Sequence, residues 1–159
     1  MKNLVCLSFC LLIIFSCNDS KKPYTEQIMA DKPFTDRIND LNKDIETIRK
    51  EEQGKLINEG LDRLKYEYEI GKNDKYIITY IFDEKGCFEI SFDGYFEKEE
   101  DVNKVLESFT KELNLNLFEV PEEDNNLVRL KSLDKKFTIE FDYKNSTRGI
   151  AKAMVFANE

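Results

Sequence analysis

Chemistry in this chain would have to come from paired carboxylates, a Ser/Lys dyad, an oxygen-ligand metal site or a thiol. The chain has 32 Asp and Glu and four Cys, with no His and no Trp. Without imidazole there is no Ser-His or Cys-His nucleophile and no His-bearing metal site, since that ring is the usual general base and zinc ligand. Paired carboxylates of the glycosidase type would need one acid with a raised pKa in an apolar cleft. The acids lie mostly on the polar faces of expected helices and strands, where solvation accounts for them. Glu122-Glu123-Asp124-Asn125-Asn126 concentrates oxygen ligands, but it lacks the alternate-position acids, glycine and later glutamate of a calcium loop, so it reads as a solvated loop. The six glycines occur singly and no Gly-Lys-Ser/Thr is present, so no phosphate loop is expected. Asn145-Ser146-Thr147 fits a glycosylation sequon and reads as a turn with Gly149. No catalytic residue, metal or cofactor is assigned.

Composition narrows the partners. The 159 residues carry 24 Lys and Arg, for a net charge of −8, and 41% are hydrophobic. That is enough apolar material for one folded domain. The acid excess argues against nucleic acid, whose phosphates require a surplus of Lys and Arg.

The first seventeen residues carry an address. Lys2 precedes a largely apolar run from Leu4 to Phe15, and Ser16 and Cys17 follow. About 12 residues make about 18 Å of helix, too short for a hydrocarbon core of about 30 Å. The layout is that of a secretory signal. Ile14-Phe15-Ser16-Cys17 resembles the lipobox of bacterial lipoproteins, with Phe15 bulkier than usual at its position. The resemblance covers about the first 20 residues and says nothing of the folded part. It implies a diacylglycerol on Cys17, cleavage before it, and a further acyl chain such as palmitate on the new amine. Several buried chains anchor a protein where one would be marginal. The expected partner is therefore a membrane, and the expected location is the cell envelope, on the periplasmic side or the cell surface, with the outer membrane preferred. Cys6 and Cys10 would leave with the signal, so Cys87 is the one remaining thiol and reads as a small residue at a strand start.

Periodicity divides the chain into a signal over 1–16, a lipidated cysteine with a flexible tether over 17–32, and one domain over 33–159. Phe34, Ile38, Leu41, Ile45 and Ile48 predict one amphipathic helix, with Thr35 and Asp36 as candidate caps. Leu64, Tyr66, Tyr68 and Ile70 alternate with charges, 76–82 is apolar throughout, and Phe88, Ile90 and Phe92 alternate again, which predicts a meander. Val102, Val105, Leu106, Phe109 and Leu113 predict a second helix behind Glu99, Glu100 and Asp101. Strands are expected again at 127–130, 137–143 and 150–156. The expected fold is α+β: an antiparallel sheet of about five to six strands with two helices on one face, in the order α-β-β-β-α-β-β-β, with a suspected duplication.

Aromatic residues crowd the stretch from Tyr66 to Phe96. Two helices can cover only one face of the sheet, so the strand at 76–82 is a candidate interaction face through Tyr76 and Tyr80, bordered by Asp83, Glu84, Glu89 and Asp93. The expected function is a non-enzymatic, lipid-anchored envelope protein that binds another protein, as an inhibitor or as immunity against a basic toxin. A structural or assembly lipoprotein of an envelope complex stands second, and a carbohydrate-binding protein or hydrolase third.

After loss of residues 1–16 the chain keeps 143 residues and a balance of 23 − 32 = −9, because Lys2 is the one charge removed. Cys17→Ser is expected to release the protein from the membrane fraction or to leave it as an unprocessed precursor. A mutant that fractionates and migrates like wild type would refute the lipobox reading.

Overall fold

A computed structural model describes residues 22–158. The expected signal over 1–16, the lipidation residue Cys17 and the tether up to residue 21 lie outside them. Three short helices come first: α1 (Tyr24–Asp31), α2 (Phe34–Ile38) and α3 (Ile45–Glu51). A first meander follows: β1 (Lys55–Glu59), β2 (Arg63–Glu69), β3 (Lys75–Asp83) and β4 (Gly86–Tyr95). The long helix α4 (Glu99–Glu112) leads to a second: β5 (Glu122–Asp124), β6 (Leu127–Lys131), β7 (Phe137–Asp142) and β8 (Ile150–Ala157). All eight strands form one sheet in the order β1-β2-β3-β4-β8-β7-β6-β5, every pair antiparallel.

This corrects the expected five to six strands and two helices. The two missed strands, β1 and β5, are the sheet's edges, and all their residues are exposed. A strand that buries neither face has no reason to alternate. The single helix expected from Phe34 to Ile48 is two, because Asn42 takes φ +66° and Asp44 caps α3, accepting the Thr47 N–H at 2.9 Å. Ile38, Leu41 and Ile45 still pack against the core, so the apolar stripe is real although its helix is interrupted. The expected tether is also too long. Residues 24–31 form α1, held to the domain by buried Ile28 and by a hydrogen bond from the Tyr24 hydroxyl to Asp74.

One face of the sheet carries the core. Register aligns Leu64, Tyr80, Ile90, Val155, Ile139 and Leu130 in one row across the strands, and Tyr66, Ile78, Phe92, Ala153, Phe141 and Val128 in the next. The helices cover this face. Where α4 lies over β8, Ala151 and Ala153 keep the surface low, and the Phe109 ring meets Phe92 edge-on at 4.9 Å and stacks on Phe34 at 4.5 Å. Glu112, at the end of α4, reaches back to accept the backbone N–H groups of Phe34 and Thr35 and so caps α2 from across the domain.

The helical layer is joined to the sheet by polar groups. Arg37 of α2 and Glu52 after α3 are both almost wholly buried and pair at 2.8 Å. Arg37 Nη1 donates to the Tyr80 hydroxyl at 3.0 Å, and the Tyr80 oxygen lies 2.8 Å from Glu52 and 3.1 Å from Asp40, so its proton has two carboxylates to choose from. Asp40 also receives Lys32 at 2.6 Å and Lys43 at 2.9 Å. Tyr68 donates to Glu52 and lies 5.6 Å beneath the Arg37 guanidinium, while Tyr76 donates to Asp31 at 2.8 Å. Burial opposes the charge on Arg37, but Tyr80 and Glu52 outweigh it and hold the guanidinium charged above its ordinary range.

Arg37→Ala would leave buried Glu52 with Lys32, 3.8 Å away, in place of a cation in direct hydrogen-bond contact. It is expected to cost about 3–5 kcal/mol in urea unfolding, the usual penalty for breaking a buried pair. A loss below about 1 kcal/mol, the size of an exposed pair, would show that water screens this network.

Candidate functional site

The buried polar cluster bonds to itself, apart from the unpartnered Arg37 Nη2, and lines none of five surface clefts among the described residues. It contains both tyrosines expected at an exposed binding face. Tyr76 and Tyr80 are completely buried on the helix-covered side of β3, so neither can touch a partner. Alternation along β3 sets their parity with Leu64 and Tyr66 of β2, but the sequence does not say which parity the helices cover.

The expected set therefore splits three ways. Tyr76 and Tyr80 face the helices, Glu89 and Asp93 face the opposite side of β4, and Asp83 and Glu84 stand exposed at the β3–β4 turn. The opposite side is a mosaic. One row runs Lys65, Thr79, Ser91, Met154, Glu140, Arg129 and Glu122, and the next runs Glu67, Ile77, Asp93, Lys152, Asp142 and Leu127. Acids and bases alternate and pair, as Lys152 does with Asp93 at 3.3 Å and Arg129 with Glu140 at 2.5 Å. This face has neither the continuous apolar area nor the one-signed charge of a docking surface.

Only Asp83 and Glu84 of the six border a site. The β3–β4 turn stands between two clefts. One, about 350 Å³, is lined by Asn42, Asp83, Lys85, Phe88, Ala157 and Asn158. The other, about 310 Å³, shares Asn42, Asp83 and Lys85 and adds Asp44, Ile45, Leu61, Phe82, Glu84 and Gly86. Leu61, in the β1–β2 turn, is fully exposed beside them. Together they form an acidic rim, three carboxylates against Lys85, over an apolar floor that Phe82, Phe88 and Ile45 supply.

Backbone pairing fixes this end. Asn42 N–H donates to the Cys87 carbonyl and Cys87 N–H to the Lys43 carbonyl, each at 2.8 Å, so the α2–α3 loop is stitched to the start of β4. Gly86, at φ +119°, permits the approach, because a Cβ there would lie 2.6 Å from the Asn42 oxygen. Asp83 accepts the Lys85 N–H at 2.7 Å and closes the turn, and Phe82 N–H donates to the Asp62 carbonyl at 2.9 Å, joining the neighbouring turn. Sequence reading marked Asp83 and Glu84 as acids but missed Asn42, Asp44, Leu61 and Asn158. An apolar Leu61 between Gly60 and Asp62 was the available signal.

Cys87 lies beneath the clefts, fully buried, and its thiol donates to the Glu89 carbonyl at 3.5 Å. Burial and the nearby Asp40 carboxylate push it up to about 12. A thiol protonated at neutral pH is neither nucleophile nor ligand, in line with the small strand residue expected from sequence. Among the described residues no three Cys, Asp or Glu are placed to hold a metal ion, and no helix is long and apolar enough to cross a membrane.

Comparison with protein-family models, with curated proteins and with solved structures finds no match.

Because the folded thiol keeps its proton to higher pH than the unfolded one, whose ordinary value is 9.0, Cys87 favours the folded state less as pH rises above about 9. Native protein at pH 8 is expected to resist a maleimide that labels the urea-unfolded chain at once. Cys87→Ala is expected to lessen the alkaline loss of stability, the remainder belonging to Tyr68, Tyr76 and Tyr80, which burial also pushes up. Rapid labelling of the native protein would show that the site opens.

Proposed function

We propose that this protein is a lipid-anchored, non-enzymatic module of the cell envelope that binds another protein through the β3–β4 turn. The observation that carries the reading is the pair of clefts flanking that turn, with an apolar floor, an acidic rim and the exposed Leu61. The chemistry suits a cationic polypeptide segment whose apolar side chain enters a cleft while its Lys or Arg meets Asp44, Asp83 or Glu84. The net charge of −8 would steer such a partner at low salt. A rigid, backbone-stitched end loses little freedom on binding, which favours affinity at modest contact area. An inhibitor or an immunity protein against a basic toxin fits this chemistry. The membrane anchor rests on the residues leading to Cys17.

The test is affinity capture from detergent-solubilised envelope at low salt, with wild type beside Leu61→Asp and beside Glu84→Lys. Both substitutions are at exposed positions and should leave the fold intact. A specific partner is expected whose capture falls at least about tenfold in each variant, equivalent to about 1.4 kcal/mol. Absence of any specific partner would refute the binding reading, and equal capture by the variants would place the interface elsewhere.

A further inference from the structure

The chain enters the domain at the end of the sheet opposite the clefts. Tyr24, at the start of α1, donates to Asp74 in the turn between β2 and β3, and its ring lies 6.0 Å from that of Phe96, just after β4. Lys22 borders Ile70 and Gly71 on one side and Asp101 of α4 on the other. The β3–β4 turn stands at the far end of β3, whose nine residues put about 30 Å between the two ends. Because α1 packs as part of the domain, the covalent distance from Cys17 to the first described residue is five residues, at most about 18 Å. A tether running to residue 32 would have left the domain free to turn over, and this one is much shorter.

The flanks give no competing attraction to lipid. The exposed side of α4 pairs Glu100 with Lys104 and Glu107 with Lys111 and leaves Glu99 beside them, and the uncovered sheet face likewise pairs its acids with its bases, so neither flank offers anionic headgroups a surplus of cations. Neither flank draws the domain down onto the bilayer. We infer that the anchored protein stands upright, with the β2–β3 turn and the β4–α4 junction toward the membrane and the β3–β4 clefts presented away from it, toward a partner outside the bilayer. This rests on the lipid-anchored reading above.

The test uses the full-length, acylated protein in vesicles of phosphatidylethanolamine and phosphatidylglycerol that contain a nitroxide-headgroup lipid. A maleimide fluorophore is placed at Lys72→Cys in the β2–β3 turn or at Glu84→Cys in the β3–β4 turn, both exposed; the native Cys87 is buried. Quenching is expected to be severalfold stronger at position 72 than at position 84. Inserting twenty Gly and Ser residues after Asp19 is expected to abolish that difference. Equal or reversed quenching in protein that still floats with the vesicles would overturn the orientation and leave the anchor standing. A difference that survives the insertion would show that the short tether does not set the orientation. Protein that fails to float and has an unmodified Cys17 by mass spectrometry would overturn the anchor and the orientation with it.

Discussion

The structure depends on burying the charge of Arg37 without leaving it alone. Arg37, Glu52 and Asp40 are each almost wholly withdrawn from water, and desolvating any one of them alone would cost several kcal/mol. The cost is offset because α2, the α2–α3 loop and the segment after α3 each contribute one of the groups, and Tyr80 of β3 accepts from Arg37 and donates its proton to one of the two carboxylates. Such pairs rarely add net stability over apolar side chains of the same volume, but they define one arrangement. Here that arrangement fixes where the α2–α3 loop ends, and hence where Asn42 and Lys43 meet the strand at Cys87. The shape of the clefts is thus set one layer below, by ions that never reach the surface.

That dependence explains which parts of the molecule were legible in its sequence. Strands β2, β3, β4 and β8 and helix α4 could be read because each buries one face or both, and burial leaves a period. The edges β1 and β5 bury nothing and left none. Helix α1 could not be read because only Ile28 is fully buried on it, and eight residues with one such position carry no period. The tyrosines were misplaced for a different reason. A strand apolar on both faces suggests that one is spare, yet Tyr76 and Tyr80 need their apolar rings in the core and their hydroxyls beside Asp31, Asp40 and Glu52. Asp31 read as part of the tether and Asp40 as part of a solvated helix face, because sequence shows that a residue is charged but not that its partner lies far along the chain, as Arg37 lies fifteen positions from Glu52.

The suspicion of duplication takes a definite form in the topology. The strand order reads the same from either edge, each half being a four-strand meander that meets the other along β4 and β8. The halves divide the work. The first carries the tyrosines and the buried charges under three short helices. The second offers Ala151 and Ala153 to the one long helix, whose Phe109 reaches back to Phe34 and Phe92. Similar backbones are covered in two ways, by polar bonds on one side and by close apolar packing on the other, so the residue pattern that would advertise a repeat is missing.

The two edges also constrain how copies could associate. Edge strand β1 exposes Leu56 and Ile57, and pairing it with another copy would satisfy both edges. Antiparallel pairing of identical edges turns one copy end for end, so it would carry the entry point of one chain to the level of the other's β3–β4 turn. If two copies stand upright on the anchors proposed above, tethers of about 18 Å would not let them meet that requirement, because the ends are about 30 Å apart. Parallel pairing would keep both entry points level but would place the helical layers on opposite sides of the joined sheet. The register shift between Leu56 and Asn58 further disrupts the edge that such pairing would use. The proposed anchor at one end of this sheet would therefore act against edge-to-edge growth among neighbours, while leaving the clefts at the other end open to a partner of different shape.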